Sequence, residues 1–506
     1  MLRHVCERLT PVVVFLAMCA HPLDATERRV STADELRSAL TGAQPGDIIL
    51  CADGQFDFNG DLIVNRSGTD AQPIIIKSMK RGKTSIVGNS RIVLDAVSHL
   101  VIEGFEFVST KGTAIELRAC SNVRITRNIF HLKETTKGSW VMITGKEKSE
   151  ALSHHNRVDH NLFEKKSMLG NFITIEGTKT PSYQVSQYDT IDHNHFRDIG
   201  PRAENVLEAI RIGSSDFSLS SGFTLLEMNL FERCDGDPEY ISIKSSDNII
   251  RNNTFRECLG SLSLRHGNRN TIEGNFILGN GRTGMFTDST GKTWTLGTGG
   301  VRFCGDSMII INNYCEGLTG TKWDATLAIT GGDAEYGDGQ KLTKHHRSRY
   351  ATIAFNTFVN NRSGIEVGYD GEGFQGNWWR MPPVGITIAN NVIVGSKDTL
   401  IKFFSTPLDS RWESNIAFAR GSGIVSGETI SGVRVVDPKL IKQQGFWRIT
   451  ERSPCVDAAV GGFAYITQDV DGQTRDKKPD VGADEFSSLP KRNHPLTMSD
   501  VGPKAK

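Results

Sequence analysis

The middle of the chain repeats one short pattern of apolar and polar residues. Each copy has an apolar strand, then an asparagine, and then an aromatic or aliphatic residue two positions later, as in the run Arg124–Phe130. The spacing between copies varies from 22 to 43 residues. A coil of constant shape explains this variation if surface loops of different length are inserted between equivalent strands. The repeated asparagines are Asn128, Asn161, Asn194, Asn229, Asn253, Asn275, Asn313, Asn356 and Asn391.

One such unit cannot bury its apolar residues alone, whereas stacked units make a continuous core. The shortest repeats, of 22 and 24 residues, fit three short strands and their turns. We therefore predict an all-β fold, a right-handed parallel β-helix over about residues 45–435. The asparagines should form a ladder at one turn, where we expect them to adopt the left-handed conformation. The rings expected to stack inside are Phe130, Phe163, Phe196, Phe231 and Phe255.

Two other repeat folds fit the pattern less well. Leucine-rich repeats have a similar period, but their Leu-x-x-Leu-x-Leu frame is missing here. Propeller blades need longer repeats of antiparallel strands.

The two ends of the coil need covers, because an open end exposes unpaired strand edges. Thr32 and Glu35 have the spacing of a capping box and lead into a short amphipathic helix suited to one end. After about residue 435 the repeat stops, and polar, turn-rich sequence predicts a C-terminal cap. The domain prediction is a signal peptide at 1–25, one β-helix domain with its caps at 26–486, and a disordered tail at 487–506.

Composition and charge narrow the classes of function. The formal net charge is zero at pH 7, which argues against a general nucleic-acid or membrane-surface role. Within residues 1–25, Arg3 and Arg8 precede an apolar run that is too short to span a bilayer. We therefore expect this segment to be a secretory signal. The mature protein should be secreted or periplasmic, without membrane insertion, and we favour a monomer.

The cysteines do not describe a disulfide framework. Seven remain after the predicted signal, which is an odd number. Cys234 and Cys258 each follow a ladder asparagine by five residues, so they should be stacked neighbours. A disulfide is within reach there, but two buried free thiols are the favoured interpretation.

The candidate chemistry begins with basic side chains on successive strands. Ile241–Lys244 and Leu262–Arg265 share one alternation, with aliphatic residues inward and a serine and then a cation outward. Arg211 and Arg302 lie between aliphatic residues in two flanking repeats. We therefore predict one cationic stripe of Arg211, Lys244, Arg265 and Arg302.

Oxygen donors accompany this stripe in the sequence. They are Asn205 and Glu208 before Arg211, and Asp237 and Glu239 before Lys244. Asp237 and Glu239 are two residues apart, so an extended segment puts both carboxylates on one side. Hard oxygen ligands of this kind suit Ca²⁺. The alternative is that these charges pair with one another on a solvated face.

The runs Asn205–Gly213, Glu239–Ser245 and Leu264–Gly267 resemble polysaccharide lyase family 6, which contains alginate lyases and chondroitinase B. The resemblance extends from about Ser31 to Phe486. It implies a parallel β-helix, with Lys244 as the base and Arg265 as the acid or stabilising arginine. It also implies Ca²⁺ at Asn205, Glu208 and Glu239, whereas Asp237 stands where the family often has Glu. Substrate contacts are expected from Arg211, His266 and Arg302.

The leading hypothesis is a lyase that cleaves a 4-linked uronate polymer by β-elimination, most simply alginate. Cationic residues and Ca²⁺ would neutralise the carboxylate beside the abstracted proton, and a neutral lysine would take that proton. The closest alternative is a dermatan sulfate lyase with the same chemistry. A uronan C5-epimerase is less favoured, because the Asp-Pro-His-Asp motif is missing. A hydrolase would give Lys244 no role, and a non-catalytic carbohydrate-binding β-helix stays open.

Overall fold

The computed structural model describes residues 26–505, apart from 181, 336–342, 377 and 396. The predicted signal peptide at 1–25 lies outside these described residues. Within them, no helix combines the length and the apolar character needed to cross a membrane.

Three long sheets form the body of the protein, and the chain visits them in rotation. Strands of successive turns pair in parallel, which confirms the predicted parallel β-helix. We call one turn of the coil a rung, and we number the sheets 1 to 3. Sheet 2 carries the candidate site.

Sheet 1 contains, in spatial order, Glu27–Val30, Ile48–Cys51, Ile74–Ser78, Leu100–Glu103, Arg124–Thr126, Arg157–Asp159, Thr190–Asp192, Leu225–Glu227, Ile249–Arg251, Thr271–Glu273, Ile309–Ile311, Thr352–Ala354, Thr387–Ala389 and Arg411–Glu413. Sheet 2 contains Gly60–Val64, Ser90–Asp95, Ile115–Arg118, Val141–Thr144, Ile173–Ile175, Ile210–Gly213, Glu239–Lys244, Gly260–His266, Thr293–Phe303, Leu327–Thr330, Ile365–Tyr369, Ile401–Phe403 and Val425–Ser426, with Thr283–Thr287 paired antiparallel to Thr293–Phe303. Sheet 3 contains Gly54–Phe56, Thr84–Ile86, Glu106–Phe107, Ile129–Phe130, Leu162–Lys166, His195–Ile199, Leu230–Cys234, Thr254–Arg256, Phe276–Leu278, Tyr314–Glu316, Thr357–Asn361, Val392–Gly395, Asn415–Ala419 and Val433–Val435.

The remaining elements are short. They are the helix Ala33–Thr41, the 3₁₀ turns Ser215–Phe217, Lys322–Asp324 and Gly371–Gly376, and the antiparallel pairs Gly177–Thr178 with Gln184–Val185 and Ile441–Gln443 with Phe446–Arg448.

The predicted aromatic stack is confirmed inside the coil. The five rings from Phe130 to Phe255 lie one above another, with neighbouring centroids 4.5 to 5.0 Å apart. Phe107 extends the stack by one ring, 4.6 Å from Phe130. This spacing matches the separation of paired strands, so every rung adds one ring to a continuous column.

The asparagine ladder is also present and is buried. The side-chain oxygen of Asn194 accepts hydrogen bonds from the backbone N–H of Asn161 at 2.9 Å and from its amide nitrogen at 3.0 Å. The amide of Asn161 also donates to the carbonyls of Ile125 and Asp159, both at 2.9 Å. The same bonding continues to Asn415, one rung beyond the predicted ladder.

One expectation about the ladder is wrong in detail. The left-handed residue is the one before the asparagine, such as His160 with φ 54° or His193 with φ 52°. This partly exposed residue makes the turn, while the asparagine side chain points inward and bonds the backbone of the preceding rung. A non-glycine residue accepts this conformation because the ladder bonds on both sides hold it.

The N-terminal cap follows the prediction. The hydroxyl of Thr32 accepts a hydrogen bond from the backbone N–H of Glu35 at 3.2 Å, and the carboxylate of Glu35 accepts one from the N–H of Ser31 at 2.6 Å. The helix Ala33–Thr41 buries Leu36, Ala39 and Leu40 against the first rungs.

The polar segment after residue 435 folds back along the outward face of sheet 3. Apolar residues there pack against outward side chains of that sheet, as Val470 does against Phe276 and Tyr314. The buried guanidinium of Arg475 donates to the Glu485 carboxylate at 3.0 Å and to the Asn312 side chain at 2.9 Å. A paired cation therefore holds this segment on the coil.

We expected residues 487–506 to be a disordered tail, but residues 487–505 lie in contact with the coil. We call this segment the C-terminal strap. Leu496 and Val501 are buried against Leu230. The N–H of Gly502 donates to the His193 carbonyl at 2.8 Å, and Arg127 donates to the Ala505 carbonyl at 2.8 Å. Isolated apolar residues in a polar stretch carry no periodic signal, so the sequence did not indicate this contact.

The cysteines of the described residues are buried and free. Cys234 and Cys258 are neighbours, as predicted, and the backbone N–H of Cys234 lies 3.5 Å from the Cys258 sulfur. The favoured interpretation of two buried thiols agrees with the structure.

A second polar ladder contains one carboxyl group, that of Asp189. Its Oδ1 accepts from the backbone and the amide of Asn156, at 2.9 and 3.0 Å. The Ser186 hydroxyl lies 2.7 Å from Oδ2 and 2.6 Å from the Ser153 carbonyl. The Ser186 hydroxyl has a single proton, which it can donate to either of these two oxygens. Burial raises the pKa of Asp189 to about 6, although the hydrogen bonds from Ser186 and Asn156 oppose this rise.

This arrangement predicts that Asp189→Asn stabilises the protein at high pH. The raised folded pKa means that the wild type loses stability as pH rises from about 4 to above 6, and asparagine removes that loss. A rise of about two pKa units corresponds to a gain of about 3 kcal/mol in the free energy of unfolding at pH 8. Chemical unfolding at pH 4 and pH 8 measures it, with little difference expected at pH 4. An equal loss of stability at both pH values would contradict the raised pKa of Asp189.

Candidate active site

The candidate site lies on the outward face of sheet 2, at the strands Ile210–Gly213, Glu239–Lys244, Gly260–His266 and Thr293–Phe303. Alternation along each strand turns the aliphatic side chains into the core and the polar ones outward. The structure thus brings the four predicted cations, Arg211, Lys244, Arg265 and Arg302, to one face.

The register corrects the predicted single stripe. Arg211 pairs with Ser242, Ser242 with Ser263, and Ser263 with Arg302. Lys244 instead pairs with Gly213 on one side and with His266 on the other. The cations therefore occupy two rows. The sequence pattern suggested one row because two outward positions that lie two residues apart on a strand give the same alternation of aliphatic and cationic residues. The alternation alone does not tell which of the two positions pairs with the neighbouring rung.

A bulge shapes the strand that carries Arg265. The pairing runs from Ile243 with Leu264 directly to Lys244 with His266, so Arg265 has no partner in the register. An extra residue of this kind bends a strand and redirects its side chain. Arg265 consequently leans back toward Glu239 and donates a hydrogen bond to its carboxylate at 2.8 Å.

Glu239 is the centre of the charge network. Its side chain is buried and also accepts hydrogen bonds from Arg302 and from the Ser242 hydroxyl. Burial would raise the pKa of Glu239, but the charges of Arg265, Arg302 and Lys244 outweigh it and hold the pKa well below its usual range. Glu239 is therefore ionised at neutral pH.

The two other predicted carboxylates each have one oxygen without a hydrogen bond. Oδ1 of Asp237 accepts the backbone N–H of Glu239 at 2.9 Å, whereas the buried Oδ2 has no partner. Oε2 of Glu208 is likewise buried and without a partner. Burial raises the pKa of Glu208, and burial followed by the charges of Glu208 and Glu239 raises that of Asp237 well above its usual range.

Asn205, the remaining predicted ligand, lies on the exposed loop before Ile210–Gly213. Its side-chain oxygen accepts the backbone N–H of Val206 at 2.9 Å. The structure therefore brings Glu208, Asp237 and Glu239 into one buried network and leaves Asn205 at its edge.

The carboxylate oxygens of Glu208, Asp237 and Glu239 are the type of ligand that a hard cation prefers. Carboxylate oxygens that lack hydrogen bonds are the donors that Ca²⁺ accepts, and a cation would stabilise the ionised form of both groups. The two clusters with three ligand atoms within 4.8 Å of one another in the described part of the chain lie elsewhere, at His160, Asp192 and His193 and at Asp469, Asp471 and Asp484. The candidate carboxylates would have to draw together around an ion.

Lys244 is partly exposed at the end of its strand. Its positive charge opposes the rise that burial causes in the pKa of Glu208 and helps to lower the pKa of Glu239. Gly213 pairs with it on the preceding rung, and a Cβ there would lie 2.7 Å from the Lys244 carbonyl oxygen. The φ of +79° at Gly213 also favours glycine, so the backbone beside Lys244 tolerates no side chain.

The predicted substrate contacts differ in their accessibility. Arg211 pairs with Glu176, and its side chain is 20% exposed. Arg302 is buried, and its Nε donates to the Ser263 hydroxyl at 3.1 Å. His266 is also buried, and burial, followed by the charges of Arg265 and Lys244, lowers its pKa well below the usual range. Its imidazole is therefore neutral at pH 7.

Sequence reasoning missed several residues around the site. Ser242 and Ser263 hold Glu239 and Arg302, although their alternation suggested only an outward position. The ring of His345 lies 5.6 Å from that of His266, and Trp323 lies 5.6 Å from the Arg302 guanidinium. Both come from segments outside the repeat, where no periodic pattern could indicate them.

Comparison with known proteins supports this description of the fold. The sequence model of the chondroitinase B family matches residues 30–428. The structure of the alginate lyase AlyGC, of the PL6 family, has a TM-score of 0.71 and 28% identity, and the match covers 93% of this chain. This chain spans 60% of the length of AlyGC. Among curated proteins, no sequence matches this chain.

Two further structures show the same fold at lower identity. A PL6 family polysaccharide lyase from Pseudopedobacter saltans has a TM-score of 0.61 and 23% identity, with 95% of this chain and 99% of that chain covered. A PL6 alginate lyase solved with a trisaccharide has a TM-score of 0.67 and 19% identity, with 95% and 96% covered. Because the family's sequence model matches well over half of the chain, the protein belongs to the chondroitinase B family, polysaccharide lyase family 6.

Proposed function

We propose that the protein is a polysaccharide lyase that cleaves a 4-linked uronate polymer by β-elimination, with alginate as its substrate. The observation that carries the proposal is the position of Lys244 and Arg265 on neighbouring rungs, beside buried carboxylates with unpaired oxygens. The similarity to AlyGC, an alginate lyase by its published description, supports the choice of alginate.

In this proposal Lys244 in its neutral form takes the proton from C5 of the uronate. The electron pair left at C5 forms the C4–C5 double bond, and the C4–O bond breaks. The departing oxygen takes a proton from water, and Arg265 stabilises the charge that develops during the reaction. An arginine suits this role because its planar fork of donors engages a carboxylate and keeps its charge at any working pH.

The family implies a Ca²⁺ ion, and the donor set described above fits one. Glu208, Asp237 and Glu239 would hold it, with Asn205 from the loop. When bound, such an ion neutralises the uronate carboxylate beside the abstracted proton. Arg265 and Arg302 balance the charge of Glu239 in the structure described here.

The second candidate is a dermatan sulfate lyase. It is favoured by the match to the chondroitinase B sequence model and uses the same elimination. Incubation of the pure protein with alginate, dermatan sulfate and pectate, followed through the absorbance of the unsaturated product, separates these substrates. Exchange of the C5 proton without an unsaturated product would indicate an epimerase, and binding without either reaction would indicate a carbohydrate-binding protein.

We propose that the protein works outside the cytoplasm, in the periplasm or after secretion. The proposal rests on the charged and apolar pattern of residues 1–25. A polymeric uronate is also a substrate that cells meet outside the inner membrane. Fractionation of the cells that make the protein tests this location.

The role of Lys244 gives the most direct test of the reaction. Lys244→Ala should lower turnover by roughly two to four orders of magnitude, because it removes the positioned base. Polymer binding and the thermal unfolding midpoint should persist. Lys402→Ala is the matched control, since Lys402 is an exposed lysine on the same sheet. Near-normal formation of unsaturated oligosaccharide by Lys244→Ala would show that another group is the base.

The metal prediction is tested by removal and by direct binding. Treatment with a chelator should lower activity, and added Ca²⁺ should restore it. Calorimetric titration of the chelated protein with Ca²⁺ gives a second measurement, in which Glu208→Gln should weaken binding. Glu316→Gln, far from these carboxylates on sheet 3, serves as the control. Full activity after exhaustive chelation, with no metal found by elemental analysis, would remove Ca²⁺ from the mechanism.

A further inference from the structure

The face of sheet 2 on the N-terminal side of the site carries an open cleft. Its volume is about 910 Å³, and its lining includes Asp95, Arg118, Thr144 and Glu176 from successive rungs. Because these four residues come from successive rungs of one sheet, the cleft runs along the axis of the coil. A polymer bound at Lys244 has room to extend in this direction.

The opposite direction is covered. The row of outward positions that includes Arg211 and Arg302 continues to Ala328 and then to Glu366. On the cleft side, the Arg211 side chain is 20% exposed. Past Arg302, Ala328 is 1% and Glu366 is 4% exposed, although both face away from the core. Something other than the coil therefore covers the sheet here.

The cover is a cluster of three aromatic residues, Trp323, Tyr369 and Trp379, which we call the aromatic wall. Trp323 is the middle residue of the 3₁₀ turn Lys322–Asp324, and its ring centroid lies 5.6 Å from that of Tyr369 and 4.8 Å from that of Trp379. Tyr369 and Trp379 are 7% and 5% exposed. Trp323 also lies over the Arg302 guanidinium, so the wall begins at the edge of the site.

Two neighbouring segments hold the aromatic wall in place. The ring of His345 lies against Trp379 and 5.6 Å from His266. A Cβ at Gly371 would lie 2.9 Å from the Trp323 ring, which shows how closely the backbone Gly371–Gly376 approaches it. Large packed rings of this kind exclude a sugar chain from the rungs beyond.

We propose that the aromatic wall stops the polymer shortly after the cleavage point, so that the lyase acts from a chain end and releases a short product of constant length. This inference rests on the proposed function. The strand Leu327–Thr330, which the wall covers, lies two rungs beyond the bulged rung of Arg265, so the open space between them is at most two rungs. Two rungs span about 10 Å, which is space for about two sugar units.

The size distribution of the products tests the wall in the wild-type protein. Alginate is incubated with the enzyme, and unsaturated products are sized by chromatography from the first minutes while viscosity is followed. We expect one short product from the start and a slow fall in viscosity. A broad, shrinking range of oligosaccharides with a rapid fall in viscosity would overturn the wall inference and leave the proposed function intact.

Trp323→Ala connects the product length to the wall. Removing this ring should open the blocked direction, so that early products become longer and at least several-fold more varied in length. Trp378→Ala is the matched control, because Trp378 is 46% exposed and lies outside the wall. Unchanged products from a folded Trp323→Ala variant would contradict the inference. If that variant fails to fold, the wild-type time course still decides, and the complete absence of unsaturated product from every uronate polymer would overturn both proposals.

Discussion

The ladder of buried asparagines is the interaction on which the rest of the structure depends. Each side chain joins the backbone of its own rung to the side chain of the next, so neighbouring rungs are held in one register. Register matters because successive residues of a strand face opposite sides, and a slip by one residue would turn the site into the core. Large loops can therefore leave and rejoin the coil without moving Lys244 relative to its neighbours.

The site departs from this regularity where chemistry requires it. Glu208, Asp237, Glu239, Arg265 and Arg302 form a compact set of charges, most of them buried. A buried polar group without a partner costs about 1–3 kcal/mol, and both Glu208 and Asp237 retain such an oxygen. The stacked core below supplies the stability that lets the protein keep this arrangement. Unsatisfied donors and acceptors on one face are what an anionic substrate and a cation would require.

The sequence allowed the fold to be predicted because the coil repeats. The repeated asparagine identified the ladder, and the residue two positions after it identified the aromatic stack, from Phe130 to Phe255. The site was predictable to the level of residue types on one sheet. It was not predictable to the level of rows, because Lys244 lies two positions beyond the partner of Arg211 on the same face, and the bulge at Arg265 leaves no mark in the alternation. Trp323 and His345 come from loops whose path depends on tertiary contacts alone. The left-handed residue of each turn was misplaced by one position because side-chain bonding and backbone strain fall on different residues.

The C-terminal strap bears on the order in which the protein can fold. Rungs of a coil can stack as they are synthesised, since each contacts only its neighbours. The outward face of sheet 3 is different, because Leu230 is covered by Leu496 and Val501, which are made more than 200 residues later. Until those residues arrive, a growing chain presents an uncovered apolar surface on a coil that is otherwise complete. A chain interrupted late in synthesis would therefore have a folded coil with an exposed apolar surface. Proteases and chaperones that recognise exposed apolar surface could distinguish this chain from the finished protein.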